Sequence, residues 1–449
     1  MAFSLKKTIK KGYSIIVTSN GYAYSEKYQK KSLDTLEIAL QTAPFYRNWR
    51  SNDPGTGVTL DQRYAALPEL TKQDMREHFP NGLVPNHRRV EDGLNSDEVE
   101  YTFTSGTTGE KVINLWNQNW WRASEKASWL LNPHTTRLDY PQKDAKLASS
   151  LNIGIHCEED LPMSHRILGD TLYLNEKINV ISWQPRHMER MARELAEFQP
   201  AVLEANPSLL ARLAWWALDS GKALYSPAAI IFTYEYPSQI HLAAIRQVFS
   251  SPLVSSYGTT ETGFVLMQCE EGLFHQNTDF CRIDFYPLAE RHGGPLLGRI
   301  LVTTFDNPWA SIVRFDVGDL IRLHPSGECV CGRNEGLIAK AIEGRIANAT
   351  FTTTGDLVTT MALDERLARV PEIRDYHLEQ DNPTDFTVQL VVTDASPVVL
   401  NRIRQELQAL YGGDGRYELA VVPELYPGPA GKYRRTQANF EFDQKGLFA

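Results

Sequence analysis

The sequence predicts an α/β protein: a large N-terminal domain of mainly parallel sheets with a small β-barrel-like part, then a smaller α+β domain. Three observations predict it. Between residues 100 and 345, short apolar runs alternate with segments of helical period, an order that implies crossover connections and a largely parallel sheet covered by helices. Near 296–323 the helices drop out and strands follow one another closely, as in an antiparallel sheet or barrel. After Gly344-Arg345 a Thr-rich stretch, 349–355, leads into about 100 residues with strands and a helix of their own. The expected domains are therefore 1–345 and 346–449.

Composition agrees with this division. A chain of 449 residues suggests two or three domains at about 150 residues each. Hydrophobic residues make up 42% and charged residues 22%, enough apolar material for a sizeable core, which excludes disorder over most of the length. The formal charge of −9 argues against nucleic acid as the main partner. No run of about 18 uncharged apolar residues suggests a membrane span. The first residues lack the apolar core of a secretory signal. Five cysteines do not make a disulfide framework in a chain this long, so a reducing cytoplasm is expected.

Residues 1–95 read as helical and polar, with aromatic anchors at Tyr13, Tyr22, Tyr24, Tyr28, Phe45, Tyr46 and Trp49 and turn signals at 52–55 and 80–82. The charged stretch 88–100 reads as a surface linker. Strands are expected at 112–115, 180–183, 201–205, 228–232 and 253–257, and helices at 189–198, 207–218 and 239–249. The closely spaced strands are 297–305 and 312–323. In the last hundred residues the pattern gives a strand at 386–392, a helix at 397–411, a strand at 417–422 and a Pro/Gly-rich tail at 427–432.

The segment with most chemical content is Thr104-Ser105-Gly106-Thr107-Thr108-Gly109, followed by Glu110 and Lys111. Glycines let backbone N–H groups approach a phosphate, hydroxyls add donors, and a lysine neutralises charge. It is not the NTPase P-loop. That pattern needs four residues between Gly and Gly-Lys, whereas two separate Gly106 from Gly109 and Glu110 precedes the lysine.

The loop resembles the signature of the adenylate-forming superfamily of acyl-CoA synthetases, adenylation domains and firefly-type luciferases. Further motifs of that family follow in order. Ser256-Tyr257-Gly258-Thr259-Thr260-Glu261-Thr262 resembles its Tyr-Gly-x-x-Glu motif, and Phe315-Asp316-Val317-Gly318-Asp319 its Gly-Asp motif. Ile342-Glu343-Gly344-Arg345 resembles the hinge, and 427–432 the final Gly-Lys loop. The resemblance covers about residues 100–440, and length and the Cys-x-Cys-Gly-Arg segment at 329–333 are most similar to the phenylacetate-CoA ligase branch.

The resemblance implies a carboxylate attacking the α-phosphate of ATP with pyrophosphate leaving, a reaction that depends on stabilising negative charge. By resemblance, the 104–109 loop and Lys111 hold the β- and γ-phosphates. Tyr257, beside Gly258, stacks on adenine, and Thr260 meets the α-phosphate or the substrate carboxylate. Glu261 holds Mg²⁺, which takes hard oxygen ligands. Asp319 accepts from the ribose hydroxyls, with Arg345 beside it, and Lys432 swings in on a mobile C-terminal domain to bridge carboxylate and phosphate oxygens. Glu235 falls where the family has a Gly-rich Glu motif near adenine, but without the glycines.

Cys269-x5-His275 and Cys329-x-Cys331 offer three thiols and an imidazole, which suits tetrahedral Zn²⁺; the alternative is scattered buried cysteines and a surface histidine. Four protein ligands would make such a zinc structural. Cys157 and Cys281 read as small apolar residues. His156 is expected beside the acyl group or in the core, with Trp183 and Tyr234 as further pocket candidates. The branch suggests an aromatic acid. CoA is the first acceptor, although the family's basic residue after the hinge is missing at 352–356; an amine or a carrier protein stays open, as do a homodimer and a non-catalytic nucleotide-binding scaffold.

Overall fold

The computed structural model describes residues 8–10, 13–17, 22–103, 112–138, 142–148, 161–175, 183–428 and 431–448. The chain opens with an antiparallel three-stranded sheet, β1 (Thr8–Lys10), β2 (Tyr13–Val17) and β3 (Ala23–Ser25), where a helical region was expected. Helices follow: α1 (Glu26–Thr42), α2 (Leu60–Ala66), α3 (Lys72–His78) and α4 (Val90–Asn95). Ser25 caps α1 by accepting from the Tyr28 N–H, and capping boxes start α2 (Thr59/Gln62) and α3 (Thr71/Asp74). Helix α4 lies in the stretch expected to be a linker. Its charges face out, but Val90 and Gly93 are buried, and a Cβ at Gly93 would stand 2.4 Å from the Trp309 ring.

A two-stranded ribbon, β4 (Glu100–Phe103) with β5 (Ile113–Trp116), leads into α5 (Gln118–Trp129) and α6 (Pro133–Thr136). Next come β6 (Asp144–Leu147), β7 (Ile167–Leu168), β8 (Thr171–Tyr173), α7 (Pro185–Phe198), β9 (Val202–Ala205), α8 (Pro207–Ser220), β10 (Ala229–Phe232), α9 (Gln239–Val248) and β11 (Leu253–Thr259). Strands β8, β6, β9, β10 and β11 are parallel neighbours in that order. The alternation and length of 201–257 thus predict each element within two residues. Of the strand expected at 180–183, residues 180–182 lie outside the described residues.

The antiparallel strands are not a separate sheet. From β11 the same sheet continues through β12 (Gly263–Gln268) and β13 (Phe274–Gln276), then folds back as β14 (Cys281–Pro287), β15 (Leu297–Thr304), β16 (Phe315–Leu323) and β17 (Ile338–Arg345). Among the described residues it runs β14-β15-β16-β17-β13-β12-β11-β10-β9-β6-β8-β7. The parallel part has two unlike faces, because side chains alternate along a strand. Ala145, Leu147, Leu203 and Phe232 pack under α7–α9 in one apolar cluster. The opposite face puts Val202, Ile231 and Val254 against Trp129 of α5. Asp144, Lys146 and Glu204 share that second face by register.

The smaller C-terminal domain starts with β18 (Thr350–Phe351), β19 (Leu357–Val358) and α10 (Thr360–Leu367). It is built on β20 (Ile373–Asn382), β21 (Asp385–Val392), α11 (Pro397–Tyr411), β22 (Arg416–Val421) and β23 (Thr436–Ala438), in the order β22-β21-β20-β23. Ion pairs and hydrogen bonds tie it to the larger part. Asp364 of α10 accepts from the Ser238 hydroxyl and the Gln239 N–H, both at 2.6 Å, at the start of α9. Arg435, paired within its own domain with Asp375, donates to Ser208 of α8 at 3.0 Å, and Arg374 pairs with Asp219 across the same boundary.

Candidate active site

Strands β9, β10 and β11 end at a cavity of about 1290 Å³, the position at which open α/β sheets bind ligands. The β11–β12 hairpin forms one wall. A Cβ at Gly258 would stand 2.2 Å from the Gly263 carbonyl oxygen, so only glycine allows the two strands to cross this closely. The turn they share is tied by the Thr262 N–H donating to Thr259 Oγ1 at 3.2 Å, and it presents Thr260 and a 7% exposed Glu261 to the cavity. Behind the hairpin, Phe264 N–H donates to Ser124 Oγ of α5 at 2.9 Å.

Strands β16 and β17 supply a second wall. Asp319 and Arg345 are cross-strand neighbours, with Arg345 Nε 3.5 Å from Asp319 Oδ1. The Tyr257 hydroxyl donates to Asp319 Oδ2 at 2.8 Å. Three motifs distant in sequence therefore meet at one carboxylate. Burial, then the Asp319 charge, push the Tyr257 hydroxyl well above its ordinary pKa and keep it a donor. Asp316 is used elsewhere, accepting from Gly318 N–H at 2.9 Å and from Arg299 at 2.8 Å.

The third wall joins the end of β10 to the C-terminal domain. Tyr234 has φ of +76°, a left-handed conformation that a bulky residue adopts only when its surroundings impose it. Beyond it, Glu235 Oε2 accepts from the Tyr433 N–H at 3.0 Å, while its Oε1 is buried without a partner among the described residues. Lys432 sits in a turn closed by the Gly428 N–H donating to its carbonyl at 3.0 Å, and its side chain lines the cavity. Burial, then the Arg345 guanidinium, lower the Lys432 pKa; Glu235, Asp319 and Glu261 oppose that shift.

Of the expected residues, Glu235, Tyr234, Tyr257, Gly258, Thr260, Glu261, Asp319, Arg345 and Lys432 share this cavity. Trp183 does not: it packs on the apolar cluster under α7 and α8, where its ring leaves water. Thr104, Ser105, Gly106, Thr107, Thr108, Gly109, Lys111 and His156 lie outside the described residues. Two features escaped the sequence reading. Lys72, first residue of α3, lines the cavity with its pKa lowered by burial and Arg345. A group of charged side chains, Glu125, Asp144, Lys146 and Glu204, lines the lobe between α5 and the sheet. A lone lysine after a helix cap and single acids in apolar runs carry no local signature.

A second constellation lies at the end of β12 and in the β16–β17 connection. One ligand atom each from Cys269, His275, Cys329 and Cys331 lies within 4.8 Å of all the others. Cys269 Sγ is 3.8 Å from Cys329 Sγ, and Cys331 Sγ is 3.4 Å from His275 Nε2. Burial, then Arg333, lower the His275 pKa to about 4, which keeps the imidazole neutral. Burial pushes the Cys269 thiol up to about 12. Cys281 packs in the apolar core as expected.

No protein-family model matches the chain, and no curated protein does. Solved structures do. A 2-hydroxyisobutyryl-CoA ligase in the postadenylation state with 2-HIB-AMP superimposes with TM-score 0.68 at 16% identity, covering 94% of this chain and 90% of that one. The same ligase with 2-HIB-AMP and CoA in the thioesterification state gives 0.55 at 17% identity over 92% and 89%. The amide bond synthetase McbA from Marinactinospora thermotolerans gives 0.50 at 16% identity over 75% and 67%. The chain has the fold of the adenylate-forming ligases.

Proposed function

We propose that this chain is an AMP-forming acid ligase. It activates a carboxylic acid with ATP, releases pyrophosphate and passes the acyl group to a thiol such as that of CoA. The observation that carries this reading is the convergence of Glu261, Asp319, Arg345, Glu235 and Lys432 on one cavity at the strand ends. These groups divide the task by charge and shape. Asp319 offers two carboxylate oxygens to a vicinal diol, and Tyr257 and Arg345 hold it in place. Glu261 is the carboxylate that would hold Mg²⁺, which compensates phosphate charge when bound. The hydroxyl-rich loop 104–109 and Lys111 would take the leaving phosphates.

Lys432 bridges the substrate carboxylate and the α-phosphate, where negative charge accumulates as the carboxylate oxygen attacks. Its lowered pKa fits a cation held out of water among groups awaiting an anion. The contacts of Asp364 and Arg435 fit an arrangement with the C-terminal domain, taken as 346–449, closed for the first half-reaction. So does the higher TM-score to the postadenylation state than to the thioesterification state. Rotation of that domain would then serve the second half-reaction. An amine or carrier protein as acceptor is the second reading, favoured by the missing basic residue at 352–356.

Cys269, His275, Cys329 and Cys331 would hold a structural zinc; three thiols and a neutral imidazole with converging ligand atoms suit it, and four protein ligands leave no open position. ATP–pyrophosphate exchange over a panel of carboxylic acids tests the enzymatic reading. Acid-dependent exchange is expected. Its absence with every acid, in folded protein supplied with Mg²⁺, would refute it.

A further inference from the structure

The cavity extends beyond the reacting groups into the lobe between α5 and the parallel sheet. Trp121 begins it: this ring lies beside Thr260 and Glu261 and also lines the main cavity. One helical turn on, about 6 Å along α5, stands Glu125. Across from it the sheet register sets Lys146 directly beside Glu204, with Lys146 Nζ 2.6 Å from Glu204 Oε2. Thr233 donates to the other Glu204 oxygen at 3.5 Å. That ion pair is complete in itself, and two carboxyls remain.

Glu125 is 9% exposed and lines the cavity, and no described residue makes a hydrogen bond or ion pair with its side chain. Asp144 Oδ1 is buried without a partner. Burial, then the Glu204 charge, raise both carboxyls, each to about 7. Arg122, the other cation near Glu125, is an exposed lining residue and makes no ion pair with it among the described residues. Lys146 offsets part of their charge, but neither acid makes an ion pair among the described residues, and two such acids facing an aromatic-walled lobe are an environment for a cation.

We infer that the acid substrate carries a basic nitrogen, separated from its carboxylate by a ring or short chain, which Glu125 and Asp144 receive. This deepens the ligase reading and rests on it for the orientation of the substrate. The carboxylate lies at Thr260 and Lys432, the apolar middle along Trp121, and the ammonium between the two carboxyls. An ammonium there gives a charge-assisted hydrogen bond to Glu125 and to the unpartnered Oδ1 of Asp144.

The test compares 4-(aminomethyl)benzoate with its neutral isostere 4-ethylbenzoate, and 6-aminohexanoate with heptanoate, in two measurements. One is exchange of pyrophosphate with ATP. The other is binding, read as quenching of the cavity tryptophans. The inference predicts that the amine of at least one pair is favoured by about 10- to 100-fold in both, and that Glu125→Gln removes most of the preference. Asp144→Asn is the second variant should Glu125→Gln fold poorly. Neutral acids exchanging as well as the amines overturns the inference and leaves the ligase reading standing. Selective amine binding without exchange supports the inference and overturns the ligase reading. Neither binding nor exchange overturns both.

Discussion

Replacing Lys432 by methionine keeps the length of the side chain and removes its charge. Two effects of opposite sign are expected. In the proposed reaction, loss of the ammonium takes one positive neighbour from the oxygens of the attacking carboxylate and the α-phosphate. A unit charge at about 4 Å in an effective dielectric of about 20 is worth ~4 kcal/mol. Glu235, Asp319 and Glu261 already share part of the lysine's field. The loss should therefore be smaller, about 10²- to 10³-fold in the exchange rate. Folding responds differently. Burial and Arg345 lower the lysine's pKa, so the fold disfavours its charged form, and that cost is present below the lowered pKa and relieved as pH rises above it. Among the described residues no carboxylate lies within ion-pair distance of its Nζ. Lys432→Met should accordingly leave the melting temperature unchanged or raise it. Exchange and thermal unfolding on the same preparation decide the matter. Full exchange activity, or a fall in melting temperature that accounts for the lost activity, would refute the reasoning.

Other residues give predictions of the same kind. Lys72→Met should raise the KM for ATP about tenfold without changing the KM for the acid, because Lys72 faces the Asp319–Glu261 side of the cavity. Gly258→Ala should cost about 1–3 kcal/mol in urea unfolding and lose activity, since its Cβ meets the Gly263 carbonyl. Elemental analysis should find one zinc per chain, and Cys329→Ser should lose both the metal and several kcal/mol of stability. The carboxyls of Glu125 and Asp144 titrate near 7 in the fold and near 4 in the unfolded chain. Between those values the folded protein holds protons that the unfolded chain has released, so stability falls as pH rises through that window. Glu125→Gln should flatten this fall, as measured by unfolding at pH 5 and pH 8.

Local patterns in the sequence were enough to single out one wall of the cavity, the one proposed to hold the nucleotide. Tyr257, Glu261, Asp319 and Arg345 sit in turns and strand ends whose short motifs depend on neighbours in the chain, such as Gly258 and Gly344. The strands and helices of 201–257 were legible for the same reason, since each is set by its own periodicity. Strand β20 was not. Its Asp375, His377, Glu379 and Asp381 break the apolar alternation, and the buried Asp375 is paired with Arg435, sixty residues later, and with His241. Burial alone would raise that carboxyl; Arg435 and His241 hold it well below the usual range.

The lobe between α5 and the sheet shows the limit of local reading most plainly. Glu204 lies in a Val-Leu-Glu-Ala run that reads as a buried strand, and an acid there was the one available sign of something unusual. What gathers the charges there is register: β6 places Lys146 opposite it, and α5 brings Glu125 to the same cavity. Tyr234 is a related case. The absence of glycine before Glu235 weakens the motif in sequence, yet the backbone takes the left-handed turn with a tyrosine in it.

The most direct measurement is the fate of isotopic oxygen. The acid with the fastest exchange, labelled with ¹⁸O in its carboxylate, is turned over once with ATP and hydroxylamine, which takes the acyl group by attack at its carbonyl carbon and frees AMP, and the products are read by mass spectrometry. Attack of the carboxylate on the α-phosphorus predicts one ¹⁸O in AMP and none in pyrophosphate. Label in the released phosphates, or unlabelled AMP, would contradict it.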